Sequence, residues 1–160
     1  MQVAVYIEVK GHGGGWVNIP ATEQTIIDKL ALPAETVIDY LDYEISDYEA
    51  PFPVPTDVSF NQLNHLVEKL SEEPIIFANS GLIMDEFSWD MEDLINLMET
   101  IRIFDAKDEE TLGMALCDEG YYDVPEELND FIDYEKLGKE WVLANNVLFA
   151  NDKAFVSIEG

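Results

Sequence analysis

Between Lys29 and Lys69 the chain has no lysine or arginine, yet "YLDYEISDYEAPF", residues 40–52, sets Asp42, Glu44, Asp47 and Glu49 among tyrosines, Ile45 and Phe52, with Asp39 just ahead. The pattern returns between Lys107 and Lys136, where eleven acids stand with no base among them. Like charges at this density repel, because every carboxylate raises the potential felt by the others. Such a chain folds only if its apolar residues turn inward while the acids interleaved with them turn out. Acids run from Glu8 to Glu159, and 34 of them against 8 basic residues give a net charge of −26. Small proteins stay soluble with a net charge of roughly 2–8, so solubility does not require this excess. A hydrophobic content of 48% with 11% aromatics is a globular composition. Disordered acidic tails are poor in both. Three explanations remain: operation in concentrated salt, binding of cations, or a negative surface for a positively charged partner. A polyanion of this kind is not expected to bind nucleic acid or an anionic membrane directly.

The single cysteine, Cys117, sits in "TLGMALCDEG", where Leu112, Ala115 and Leu116 make an apolar helical face, and reads as a core thiol. One cysteine allows no intrachain disulfide, which fits a reducing cytosol. The opening "MQVAVYIEVK" lacks a basic n-region, and its apolar run is too short for a signal or membrane helix. The expected location is cytoplasmic.

The residue pattern predicts an α+β protein in three modules. Residues 1–57 form a β-rich module. "QVAVYIEVK" alternates Val3, Val5, Ile7 and Val9 as a strand with one buried face, "GHGGG" is a flexible turn, and "WVNIP" is the return strand. "ATEQTIIDKLAL" is a short helix capped by Thr22, with Ile26, Ile27 and Leu30 inward, ended by Pro33. "YLDYEISDYE" is a third strand before the break "APFPVPTD". On that strand, strict alternation puts Asp42, Glu44 and Ser46 on one face and Tyr43, Ile45 and Asp47 on the other, with a register shift near Asp47. Residues 58–99 form a helical module. It opens with an S-x-x-Q capping box (Ser59, Gln62) and a Val58–Leu63 staple, and carries Phe60, Leu63, Leu66, Val67 and Leu70 on one face. "PIIFANSGLIMDEF", weakened at Asn79–Gly81, and "WDMEDLINLME" follow as short helices. Residues 100–160 form a mixed module: the strand "TIRIFDA", a helix with Asp108, Glu109 and Glu110 in its first turn, the helix "VPEELNDFI" with proline in its first turn, the helix "DYEKLGKEWVL", and a hairpin across Asn151-Asp152.

Catalytic signatures are incomplete. "HGGGW" at His12–Trp16 matches an esterase oxyanion loop, but the G-x-S-x-G elbow is missing and the only other histidine, His65, lies inside an amphipathic helix. Trp16 stands where a dinucleotide fingerprint needs its third glycine, and no Walker lysine exists. "DAKDEETLGMAL" begins like a calcium loop, but Lys107 and Glu110 occupy positions that need an oxygen ligand and a glycine. Two distant histidines and one cysteine do not make a zinc site. Paired carboxylates of the glycosidase kind arise by chance in any chain this acidic. Arg102 is the only arginine, leaving little to hold an anionic substrate. No cofactor, metal or catalytic residue is therefore assigned, and the chain is read as a non-enzyme.

"YEISDYEAPF", then "FNQLNHLVEKLSEEP", then "DVPEELNDFIDYEKLGKEW" and the terminal "FVSIE" resemble, in this order, the ArdA antirestriction proteins of mobile genetic elements. Val124–Gly138 is similar to that family's antirestriction motif. The likeness is strongest over 40–73 and 121–158 and weak over 75–100 and in "GHGGG". The resemblance implies an elongated, three-module homodimer that imitates the charge and shape of bent duplex DNA. It would inhibit type I restriction–modification enzymes by occupying their DNA-binding groove. It further implies that Leu128, Phe131, Ile132 and Tyr134 pack between subunits. Asp123, Glu126, Glu127, Asp130, Asp133 and Glu135 would stand in for phosphates, as would Asp42, Glu44, Asp47 and Glu49. Lys136 and Lys139 depart from a pure polyanion.

Charge density agrees with such a mimic independently. Duplex DNA carries one charge per about 1.7 Å of axis, so the net −26 corresponds to about 44 Å of duplex. A single globule of this length has a radius of gyration of about 15 Å, too small to lay those charges in a line. Two rivals share part of the electrostatics: an acidic module that sequesters some other basic or DNA-binding protein, and a halophilic coat that says nothing about partners.

Overall fold

Every second residue of the first strand is apolar, and each of these is buried: in β1 (Val3–Val9), Val3, Val5 and Ile7 are wholly inaccessible and Val9 nearly so. The computed structural model describes residues 2–158, so Glu159 of the "FVSIE" segment lies outside the described residues. The chain forms two compact units, residues 1–84 with 90–95, and residues 85–89 with 96–160.

In the first unit, β2 (Gly13–Ile19) and β3 (Tyr43–Glu49) flank β1 in an antiparallel sheet of order β2-β1-β3. Val17, Ile19 and Ile45 complete its buried face. Gly13–Gly15, expected in a flexible turn, belong instead to the β2 ladder, with Gly13 opposite Val9 and Gly15 opposite Ile7. A side chain at Gly14 would run into the Ile7 carbonyl and the Tyr6 ring, so the strand needs glycine there for clearance.

Helix α1 (Glu23–Lys29) starts as predicted, Thr22 Oγ1 accepting from the Thr25 N–H at 3.1 Å. It ends before Pro33 is reached. Ala31 takes a left-handed φ of 53°, and the Leu32 and Ala31 N–H groups donate to the Ile27 and Asp28 carbonyls at 2.9 and 3.4 Å. That is a Schellman closure, and it terminates the helix without the proline. In α2 (Phe60–Ser71), Ser59 accepts from the Gln62 N–H, and all five predicted inward residues are buried. Both helices pack against β2. Asn64 of α2 clasps the chain ahead of α1 with two reciprocal bonds, accepting from the Ala21 N–H at 2.9 Å and donating to its carbonyl at 2.8 Å.

The proline-rich stretch after β3 packs into this unit, with Phe52 and Val54 buried. The Ile45 N–H donates to Thr56, and the Tyr43 hydroxyl to the Val58 carbonyl at 2.7 Å. Tyr43 also stacks on Phe60 at 4.4 Å. Burial raises the Tyr43 pKa; the Phe60 backbone bond opposes that, and the Asp39 and Asp57 charges add to it. The predicted weak point at Asn79–Gly81 divides α3 (Pro74–Ala78) from α4 (Ser80–Phe87). Buried Asn79 and Ser80 donate back to the Ile75 and Phe77 carbonyls. Helix α5 (Met91–Leu97) follows.

In the second unit, β4 (Ile101–Phe104), β5 (Val147–Ala150) and β6 (Lys153–Ser157) form an antiparallel sheet of order β4-β6-β5. Asn151 and Asp152 both have positive φ, 51° and 63°, the backbone of the two-residue hairpin turn that the sequence predicts. Helix α6 (Glu109–Asp118) begins one residue later than expected: Asp108 is its cap, in a complete box with Thr111, and the Asp108 carboxyl pKa is held below the usual range by the Thr111 backbone and hydroxyl donors. Cys117 is only half-buried, because the face of α6 that enters the core carries Leu112, Gly113 and Leu116. Helix α7 (Tyr134–Ala144) packs on α6 at backbone distance. A Cβ on Gly113 would collide with the Tyr134 carbonyl, and one on Gly138 with the Glu109 carbonyl. Phe104, Tyr121 and Trp141 meet edge-on, with ring centroids 5.6–6.2 Å apart. The expected helix "VPEELNDFI" is a 3-10 segment, Glu126–Phe131, with Pro125 as its cap and no buried residue. With no apolar stripe to dock, nothing converts it to an α-helix. The architecture is α+β, as the pattern predicts.

Candidate functional site

The carboxylates of β3 are ordered by one extra residue. Ile7 pairs with Ile45 but Tyr6 pairs with Asp47, so Ser46 is a bulge opposite no partner. Strict alternation would turn Asp47 and Glu49 inward with Ile45. The bulge absorbs one residue and reverses that. Glu44, Asp47 and Glu49 now pair with Glu8, Tyr6 and Ala4, all on the face opposite the buried valines. The sequence predicts a register shift near Asp47 with the acids outward; the structure places it at Ser46, one residue earlier, and the reason for the shift is the cost of burying an unpaired carboxylate. Glu44 stands directly across from Glu8, a like-charge pair that costs the sheet on the order of 0.2–1 kcal/mol.

At one end of this face Asp42 and Asp57 join Glu8 and Glu44 around an open groove of about 710 Å³, with Lys10 as the one cation in its lining. Asp42 and Glu44 were singled out from the sequence; Glu8 and Asp57 were not. Glu8 was legible, since it follows Tyr6 in the outward frame of β1. Asp57 was not, because only the return of the 51–58 segment along β3 brings it there.

In the second unit Asp123 precedes the 3-10 segment and Glu126, Glu127 and Asp130 lie on it, all of them exposed. Two further candidates have local partners. Asp133 caps α7, accepting from the Lys136 N–H at 3.1 Å, and Glu135 pairs with Lys139 at 3.0 Å on an exposed surface. The Lys139 pKa is raised, first by its hydrogen bond to Glu135 and then by that carboxylate's charge. Glu135 also shares an open groove of about 430 Å³ with Asp108, Glu109 and Glu110 of α6, a grouping that the α6–α7 contact creates. Of the four apolar residues assigned to subunit packing, Leu128 and Phe131 are 46% and 80% exposed, and Ile132 and Tyr134 are half-buried. The Tyr134 hydroxyl donates to the Asn129 carbonyl at 3.4 Å.

Among the described residues no group of three or more His, Cys, Asp or Glu is arranged to hold a metal ion, and no helix is long and apolar enough to cross a membrane. The fold and these surfaces define an acidic α+β protein with exposed carboxylates on the sheet face of its first unit and, separately, on a turn of its second. The family follows from the chain as a whole. The model of the antirestriction protein ArdA matches residues 4–156, and the chain belongs to that family. It is a family of inhibitors, not of known enzymes, and it acts against type I restriction–modification enzymes. Among curated proteins none matches the chain.

Proposed function

We propose that this protein inhibits type I restriction–modification enzymes by imitating duplex DNA, entering their DNA-binding groove and excluding the substrate. The carrying observation is the bulge at Ser46, which gives Glu44, Asp47 and Glu49 one solvent-facing side together with Glu8. A groove that binds phosphates is basic. Carboxylates held at sheet spacing, with strands about 4.8 Å apart and outward residues about 6.6 Å apart along a strand, offer it a rigid anionic lattice. Asp42 at the groove and Asp123, Glu126, Glu127, Asp130, Asp133 and Glu135 in the second unit extend the same role. The division into segments 1–57, 58–99 and 100–160 belongs to this reading, as does a cytoplasmic location, where restriction operates.

Competition with duplex DNA for a purified type I enzyme tests it. The wild-type chain should displace DNA at low salt and lose affinity as salt rises. The variant Glu8→Gln/Glu44→Gln/Asp47→Asn/Glu49→Gln should bind more weakly at low salt and show a flatter salt dependence. A wild-type chain that fails to displace DNA at low salt removes the mimicry reading.

The reading includes a homodimer packed through Leu128, Phe131, Ile132 and Tyr134. A phenyl ring 80% exposed on a segment with no buried residue supports it. Phe131→Asp should weaken self-association and inhibition together in sedimentation and restriction assays. A fully inhibitory monomer would refute the role of this segment.

A further inference from the structure

Charge imitation needs no aromatic rings, yet the solvent face of the first sheet presents two. Tyr6 and Trp16 are cross-strand partners, their centroids 5.6 Å apart and their planes at 75°. Trp16 is 44% exposed although its neighbour Val17 is wholly buried, so this indole belongs to the surface and not to the core. The Tyr6 ring is held over β2 by a missing side chain: a Cβ on Gly14 would stand 2.8 Å from Tyr6 Cε1. Tyr6 thereby lines the groove that also holds Glu8, Asp42, Glu44 and Asp57, and Asp47 is its partner on β3.

We infer that this face is an arginine-selective contact, in which a guanidinium of the partner protein lies on the Tyr6 ring, braced by Trp16, and forks onto a neighbouring carboxylate. The occupant is cationic by charge complementarity, since four carboxylates line the groove against Lys10 alone. It is arginine in preference to lysine because a planar guanidinium stacks on a ring and pairs with a carboxylate through two N–H groups at once, which a compact ammonium does not do. Exposed cation–π contacts correspond to about a twofold to fivefold gain in binding. The inference rests on the proposed mimicry, which supplies a basic protein surface as partner, but the two fail separately.

Hexa-arginine and hexa-lysine peptides titrated into the isotope-labelled full chain, read at the Trp16 indole and the Gly14 and Asp47 amides, provide the test. The arginine peptide should bind tighter than the lysine peptide and shift these signals. In Tyr6→Thr/Trp16→Thr the preference should shrink, because stacking is lost while two-point pairing with a carboxylate remains, and the arginine peptide should lose more affinity than the lysine peptide. If the threonine variant unfolds, Tyr6→Leu/Trp16→Leu retains apolar bulk and makes the same comparison. Equal binding of the two peptides by the wild type, shifts confined to other residues, or a preference undiminished in either folded variant overturns the inference. Failure of the chain to compete with DNA would leave this measurement intact and remove only the mimicry reading.

Discussion

Two stretches carry acids at similar density and hold them by different means. On β3 the carboxylates sit on a strand whose other face is locked: Ile45 is buried opposite Ile7, the Ile45 N–H is bonded to Thr56, and Tyr43 is pinned by Val58 and Phe60. From Glu126 to Phe131 no side chain is buried, and the backbone is held by a few turn bonds such as Leu128 N–H to the Pro125 carbonyl. Its anchor is downstream, where the α6–α7 contact secures the start of α7. The first region is rigid because burial specifies its register; the second is positioned by what it is tied to. Charge alone teaches neither, since acids are equally exposed in both.

The largest effect that tests this contrast is at the helix contact. Gly138→Ala should force α7 away from the Glu109 carbonyl and lower stability by about 3 kcal/mol, the upper end for overpacking. Amide exchange should then quicken over 126–144 and stay unchanged over β1–β3. Equal quickening in both regions would show that the acidic turn does not depend on α7 in this way. On the other side, Asn64→Ala deprives the Ala21 N–H and carbonyl of both partners and should cost about 1–3 kcal/mol by urea unfolding, with exchange rising around α1 and β2. A loss below about 0.5 kcal/mol would mean that water replaces the clasp freely.

The smallest effect is the sharpest test of register. Deleting Ser46 joins Ile45 to Asp47 and converts the bulge into a regular ladder, with Asp47 and Glu49 still outward. Stability should change by less than about 1 kcal/mol, the span of ordinary strand effects, and inhibition should persist. Inserting one alanine after Ser46 is the complement, since a regular ladder would then need a two-residue bulge to keep the same acids outside. Cross-strand contacts in the NMR spectra decide. If the deletion variant pairs Tyr6 with Tyr48 instead of Asp47, the bulge does not have the role given to it here.

Much of the fold was legible because its causes are local. The caps at Thr22 and Ser59, the alternation of β1, the apolar stripe of α2 and the Asn151-Asp152 hairpin each follow from a few adjacent residues and their steric preferences. The misreadings have non-local causes. Three glycines look like a loop until β1 pairs with them. "VPEELNDFI" has helical composition but no face to bury. Gly113 and Gly138 gave no signal that each touches the other helix.

The candidate site divides the same way. Composition and spacing alone determined that acids must be outside, that Ile45 must be inside, and which stretches carry the charge, because solvation of a carboxylate and burial of an aliphatic chain are properties of single residues. Only the tertiary structure decided that Asp47 and Glu49 share a face with Glu44, that Glu8 and Asp57 complete their groove, and that Tyr6 lies among them. Strand register and the return of a loop are set by what each residue meets across the sheet, and no short window of sequence contains both partners.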